Sequence, residues 1–493
     1  MSGRAKRNAL AVFGAALVFS VAGCSAPTLM QTREGAFEQA VSAMGSKRPL
    51  LALRAAFRYL KGAGPDDPRY DRALRVMAVA ANELGLPYAA SIWYLQIAQG
   101  GRDPALLPVA IEGLQQLVER GVHDDELIVS GYLASADLAA LPAGLMAFVD
   151  YHAGLDSLRR GERSWADQRF AKIGRASPYA WRVRYVRAVD LVAARDLDQA
   201  QQALEAMLTD ADDPNREGPA TLAPLPSDLR NDVERSLARL HFERGRWEQA
   251  LVLYDRVRAR TPTDASLLLE MAWTHFYHGE TRRALGLLVA LDAPAFASLI
   301  APERFLLEAM CLRRLCQFEP ARAAAVRLRG RYAAVYAGIE TGRPLLENAP
   351  LVRAAELDPR ARAIAQLEAE LAREARRIKS ELGEGLEPEL VASLDELYRR
   401  GLDEIGRRKS ERLQAAVAEL AEELLLARDD VRFTTHELAV ALLRGRMRPE
   451  GPRERDVGGL GASDGKVVYR FVGEYWKDEL DDLLVLVEDR CIE

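Results

Sequence analysis

A small residue recurs at 34-residue intervals along this chain with similar neighbours on either side. That period limits the fold more than any other feature of the sequence. Ala250 follows Gly245-Arg246-Trp247 and precedes Tyr254 and Pro262; 34 positions on, Ala284 follows Gly279 and precedes Leu288 and Leu291. Upstream, Ala166 follows Gly161 and precedes Phe170 and Pro178, and 34 positions later Ala200 precedes Leu204 and Met207. Gly85, Ala90, Tyr94 and Ile97 give the same order once more. In such a unit Gly245 stops one helix and Ala250 lets the next approach it closely. Tyr254 fills the gap between units, and Pro262 blocks continuation of the second helix. Ala, Leu, Arg and Glu dominate the composition, which favours helix nearly throughout.

These residues resemble the tetratricopeptide repeat family, best in the unit from Asn231 to Asp264. There Leu237, Ala238, Gly245, Ala250, Tyr254 and Pro262 stand at the family's small, apolar and terminating positions, while Glu234 replaces a usual tryptophan and His241 a usual tyrosine. The resemblance covers residues 36–340 and implies an all-α solenoid of helix-turn-helix repeats. It also implies a concave surface on which extended peptides or partner helices bind. Between Ala200 and Ala250 the spacing lengthens to 50. The excess includes Asp210-Ala211-Asp212-Asp213-Pro214-Asn215, Pro219, Pro224 and Pro226, and it predicts an exposed insert near 210–229.

The first residues read as an export leader. Arg4, Lys6 and Arg7 precede an apolar stretch, Ala9 to Ala22, that is shorter than the roughly 20 residues a membrane span needs. Val21-Ala22-Gly23-Cys24 then resembles the lipobox of bacterial lipoproteins. The resemblance implies cleavage after residue 23 and acylation of the Cys24 thiol, with residues 24–35 as a lipidated tether. Several acyl chains on one residue anchor firmly. Ser25, in place of an aspartate, points to the outer membrane with the protein facing the periplasm. Loss of the leader's three cations takes the formal charge from −5 to −8, which gives nucleic acid no electrostatic footprint. An exported chain permits disulfides, and Cys311, Cys316 and Cys491 remain besides Cys24. A local Cys311–Cys316 bridge and buried, inert thiols both fit these spacings.

Beyond the repeats, residues 355–445 read as a long charged helical hairpin. Leu367, Leu371, Ile378 and Leu382 form one stripe, ended by Gly383-Glu384-Gly385. Leu390, Leu394 and Leu397, then Leu413, Val417, Leu420 and Leu424, form the second. Residues 446–493 read as a Gly-, Pro- and Arg-rich linker to a small C-terminal β-hairpin, with strands at Lys466–Phe471 and Leu483–Glu488. A hairpin alone is marginal, so it should dock on the helical hairpin or on a partner. This ending resembles large repeat lipoproteins of myxobacteria, including ones assigned to adventurous gliding motility.

No catalytic pattern stands out. His275 and His278 lie three apart beside Glu280, a spacing a metal site uses. Yet His241 and His275 fall at equivalent repeat positions where the family packs a ring, so both are expected in the core or the groove. His123, His152 and His436 are scattered, and Asp66-Asp67, Asp124-Asp125 and Asp481-Asp482 fit turns or helix starts. There is no phosphate loop, and Gly459-Leu460-Gly461 lacks a flanking strand and helix. No catalytic residue, cofactor, metal or small-molecule ligand is therefore expected. The candidate partner-binding residues are Trp181, Tyr185, Trp273 and Tyr277. The expected role is a non-enzymatic scaffold for other envelope proteins, attached to the membrane through its lipid, within a machine such as gliding motility or outer-membrane assembly. The rival is a periplasmic hydrolase or cell-wall enzyme that uses the repeats as a substrate platform. A soluble chaperone for secreted proteins is a third reading, and it fails if Cys24 is acylated.

Overall fold

A computed structural model of the chain describes residues 33–122, 129–136, 138, 141–213, 224–444 and 483–491. The leader, Cys24, Gly459–Gly461 and the expected strand Lys466–Phe471 lie outside these residues. The described residues are all-α and divide into two compact units, residues 1–172 with 366–406 and residues 173–365 with 407–493.

In the first unit α1 (Arg33–Gly45) pairs with α2 (Pro49–Gly62), and α3 (Tyr70–Glu83) with α4 (Pro87–Gly100). After α5 (Leu107–Val118) and the short α6 (Ser130–Ser135), α7 (Ala143–Arg159) pairs with α8 (Arg163–Ala171). In the second unit the pairs are α9 (Ala180–Ala193) with α10 (Leu197–Asp212), α11 (Ser227–Glu243) with α12 (Trp247–Arg260), and α13 (Ala265–His278) with α14 (Thr281–Ala290). They are followed by α15 (Glu303–Arg314) with α16 (Phe318–Arg331), then α17 (Ala333–Glu340) and α18 (Ala349–Ala355). The first helix starts at Arg33, inside the expected tether. The expected insert is shorter on its N-terminal side, because α10 runs on through Asp212. There Arg184 holds Asp210 at 2.8 Å and Arg230 holds Asp212 at 2.5 Å.

One local device makes these pairs. Each first helix ends on a residue with positive φ: Lys47, Gly85, Gly161, Arg195, Gly245, Gly279 or Cys316. The turn closes through two backbone bonds. At Gly245 its own N–H donates to the Phe242 carbonyl and the Arg246 N–H donates to that of His241, both at 2.9 Å. At Gly279 the matching bonds from Gly279 and Glu280 are 3.1 and 2.9 Å. This is the Schellman closure, which satisfies orphan helix carbonyls and turns the chain back. Five residues after each such turn stands an alanine with its side chain fully buried: Ala52, Ala90, Ala166, Ala200, Ala250, Ala284 and Ala321. A methyl there lets the paired helices close, and larger side chains between successive pairs fill the core. Tyr254, Leu268, Leu307 and Phe276 do so in the second unit, each buried side chain contributing roughly 1.5–3 kcal/mol.

The two substitutions in the best-matching unit have local explanations. Glu234 is buried and bonded to Arg260, with Arg230 3.7 Å away, so a charge pair fills the space of a large ring. His241 is buried as expected, and desolvation lowers its pKa.

The long charged segment forms α19 (Pro359–Arg377) and α20 (Pro388–Arg444), with a 3₁₀ turn at Gly383–Gly385 between them. Their apolar stripes are covered by the chain's own helices. In the first unit Tyr398 from α20 donates to Glu374 of α19 at 2.6 Å, and the same carboxylate accepts the Tyr88 N–H at the start of α4 at 3.1 Å. Glu387 takes Arg58 at 2.7 Å and Arg54 at 3.4 Å, both from α2. In the second unit Val417, Leu424 and Val431 join a core with Phe305, Leu328, Tyr332 and Leu351, and the Tyr336 hydroxyl donates to the Leu424 carbonyl.

The tail does not form the expected second strand. Leu483–Cys491 forms no regular element and pairs with no strand among the described residues. Leu483, Val485 and Val487 pack instead on the second unit's helical core. Alternating apolar side chains require an apolar surface on one side, and packed helices supply one as well as a sheet does. Cys491 is bonded to Cys316, whereas Cys311 is a buried thiol, so the Cys311–Cys316 alternative is not the one adopted.

Two stability measurements test this architecture. Gly245→Ala should cost about 1 kcal/mol, because a Cβ is strained at positive φ, and Arg195→Gly should gain about half as much. Urea titration of both variants checks the opposite signs. Burial raises the pKa of Glu374 from 4.5 to about 7. Between those values the folded state keeps a proton that the unfolded chain has lost. Stability of the first unit should therefore fall as pH rises through this window, by at most about 3 kcal/mol. Glu374→Gln should flatten the slope in melts at pH 5 and pH 8.

Candidate interaction surface

The four candidate residues all lie in the second unit, but they do not form one surface. Trp181 is 1 % exposed, its ring under the Arg184 guanidinium at 4.8 Å, and it packs in the core of the second unit. Tyr185 is half-buried on α9 and shares a 3.1 Å hydrogen bond with Ser236 on α11. Burial raises the pKa of that phenol.

Trp273 and Tyr277 do come together. They stand four apart on α13, so helical geometry places them on one face. Their rings stack with centroids 5.9 Å apart and planes within 22°. Tyr277 also stacks on Trp247 from α12 at 5.4 Å, and Phe242 from α11 meets both rings edge-on at 5.3 and 5.6 Å. The Trp273 indole N–H donates to Glu303 on α15 at 3.3 Å. Tyr277 remains 43 % exposed, so the ladder is open to solvent. Trp247 and Phe242 flank the turn at Gly245, and spacing along the chain does not place either ring against α13. Their place beside Gly245 carried the signal, since it puts them next to the same position of the following unit.

A charge network continues the surface along α11 and α13. Glu270, one turn before Trp273, accepts from Arg235 and Arg239 at 2.6 Å each, and Arg235 also reaches Asp264 at 2.9 Å. Burial pushes the Glu270 carboxyl up, but hydrogen bonds from Arg239 and Arg235 outweigh it and hold the pKa below the usual range. Arg239 keeps 55 % of its side chain exposed. The outcome is a strip of aromatic edges beside a half-exposed arginine held on Glu270, a composition suited to anchoring a protein partner.

His275 and His152 make structural contacts. His275 Nδ1 lies 2.6 Å from Glu280, which holds that carboxyl down at about 2, and this contact pins the turn between α13 and α14. His152 packs edge-on against Phe148 and Tyr151 and lies 3.2 Å from the Ser130 hydroxyl. Among the described residues no group of three or more His, Cys, Asp or Glu side chains is arranged to hold a metal, and no helix is long and apolar enough to cross a membrane.

No family model and no curated protein matches the chain. Solved structures that align with it include a tetratricopeptide repeat protein from Parabacteroides merdae, 13 % identical over 60 % of this chain and 92 % of that one, with a TM-score of 0.24. The tetratricopeptide repeat domain of P58(IPK) aligns at 12 % identity over 84 % of this chain and 99 % of that one, with a TM-score of 0.21. Superpositions this poor say nothing about partners, and the repeat rests on this chain's own helix pairs.

Glu270→Gln should destabilise the second unit by about 1–3 kcal/mol, because two guanidinium groups lose their shared anion. Urea titration followed by Trp273 and Trp247 fluorescence reads the change.

Proposed function

We propose that this chain is a non-enzymatic scaffold of the bacterial cell envelope, held to a membrane through Cys24 and binding protein partners on its repeats. The observation that carries the reading is the open strip of Trp247, Trp273, Tyr277 and Arg239. Rings left half in solvent beside an outward arginine offer a partner apolar area with little side-chain entropy to lose. The leader pattern and the Val21–Cys24 lipobox support export and acylation. The Cys316–Cys491 bridge fits the same oxidising compartment. Ser25 favours the outer membrane, with the repeats in the periplasm. Within that setting the partner belongs to a membrane-spanning assembly such as a gliding or outer-membrane assembly machine.

Fractionation of cells expressing wild type or Cys24→Ala, each with a crosslinked pull-down, tests this. Wild type should sediment with the outer membrane and bring down stable partners, and Cys24→Ala should be released or accumulate as precursor. A Tyr277→Ala, Arg239→Glu variant should stay in the membrane and lose its partners by about tenfold. A soluble, solitary protein in every case overturns the proposal.

A further inference from the structure

The C-terminal segment sits in a track that the repeat helices are built to receive. Gly286 lies in the interior of α14, where glycine weakens a helix relative to alanine. A Cβ at this position would stand 2.3 Å from the Leu483 carbonyl oxygen, so the missing side chain is what admits the tail backbone. Four further contacts follow the tail along the track. The Val485 N–H donates to the Arg282 carbonyl at 3.3 Å, and Arg282 Nε donates to the Val487 carbonyl at 3.0 Å. Gln317 Nε2 donates to the Glu488 carbonyl at 2.7 Å, and the Arg490 N–H donates to the Leu315 carbonyl at 3.0 Å.

Side chains alternate accordingly. Leu483, Val485 and Val487 face the core, while Leu486, Glu488 and Arg490 are exposed. The final contact is covalent, between Cys491 and Cys316. Cys316 itself occupies the positive-φ position of the turn between α15 and α16, where four of the other six pairs place glycine. Gly286 inside a helix and Cys316 at a turn thus both touch the tail.

We propose that Leu483–Cys491 is a detachable strap, locked by the Cys316–Cys491 disulfide over a peptide track of the second unit, and that a dithiol reductant releases it. The occupant of the track is this chain's own tail. A partner able to replace it presents an extended segment with apolar residues at alternate positions, because most of the polar contacts are made by the tail's backbone.

Release is a balanced exchange. A thiolate of the dithiol attacks the more accessible Cys491 sulfur and expels the Cys316 thiolate, which takes up a proton. The second thiol of the reductant then attacks the mixed disulfide and frees Cys491 as a thiol. The reductant ends as its own disulfide. The strap is then held only by its noncovalent contacts. This inference does not depend on acylation of Cys24.

The test uses the full-length chain in detergent. A non-reduced tryptic map should join the Cys316 and Cys491 peptides, and dithiothreitol should speed hydrogen exchange at the Val485 and Arg490 amides by about tenfold. Gly286→Ala should keep its helix content by circular dichroism, yet leave both cysteines as thiols and the tail exchanging fast without reductant. A labelled synthetic copy of residues 483–491 carrying Cys491→Ser should bind the reduced Val485→Asp, Val487→Asp chain, whose own tail no longer seats, and not the oxidised wild type. The strap is refuted by a Cys311–Cys316 linkage in the map or by tail exchange indifferent to reduction. It is refuted equally by a Gly286→Ala chain that latches normally, or by a labelled peptide that the reduced variant does not bind.

Discussion

The close approach of two helices across a tight turn is the constraint on which this molecule depends. A left-handed residue closes each hairpin, and an alanine five positions on lets the second helix lie against the first. Neither feature is strong alone. Together they fix where the chain reverses and which faces meet, and the layers of Leu, Phe and Tyr between successive pairs follow from that. The same constraint explains why the units tolerate Glu234 and His241 in place of aromatic rings. Those side chains lie where the spacing between helices is already set, and Arg260 neutralises the buried carboxylate.

Much of the polar structure serves to close faces that the repeats leave apolar or charged. Glu374 lies between Tyr398 and the Tyr88 amide, and Glu387 lies between Arg54 and Arg58, so one buried and one half-buried carboxylate fasten this segment to repeat helices. Burying such groups is costly unless each accepts well-placed donors. These contacts therefore specify register more than they add stability. At the strip on α11 and α13 the logic is reversed. Glu270 is satisfied twice over, while Tyr277 and the Arg239 side chain keep about half of their surface exposed.

The candidate site was legible only in part, and the reasons are specific. Trp273 and Tyr277 were visible because an i, i+4 aromatic pair shares a helix face whatever surrounds it. Trp181 belongs to the same residue class, but its burial depends on neighbours that its own spacing does not reveal. Trp247 and Phe242 reach the ladder from another helix, and only the packing of α12 beside α13 brings them there. The cysteines were ambiguous for a related reason. Spacing along the chain made Cys311 and Cys316 neighbours, whereas the fold brings Cys491 to Cys316 across 175 residues.

By itself the sequence determined that the chain is helical, that its helices come in pairs, and where several of the turns fall. Those properties are local, written in propensity, in periodicity and in glycines such as Gly245 and Gly279 that a turn requires. The tertiary structure alone decided what covers each apolar stripe. Val417 and Leu424 found Phe305 and Leu328, and the alternating tail found the helical core of the second unit. A pattern of apolar residues records that a face must leave water, because burial is non-directional and any apolar surface serves. Which surface serves is settled only when the whole chain has packed.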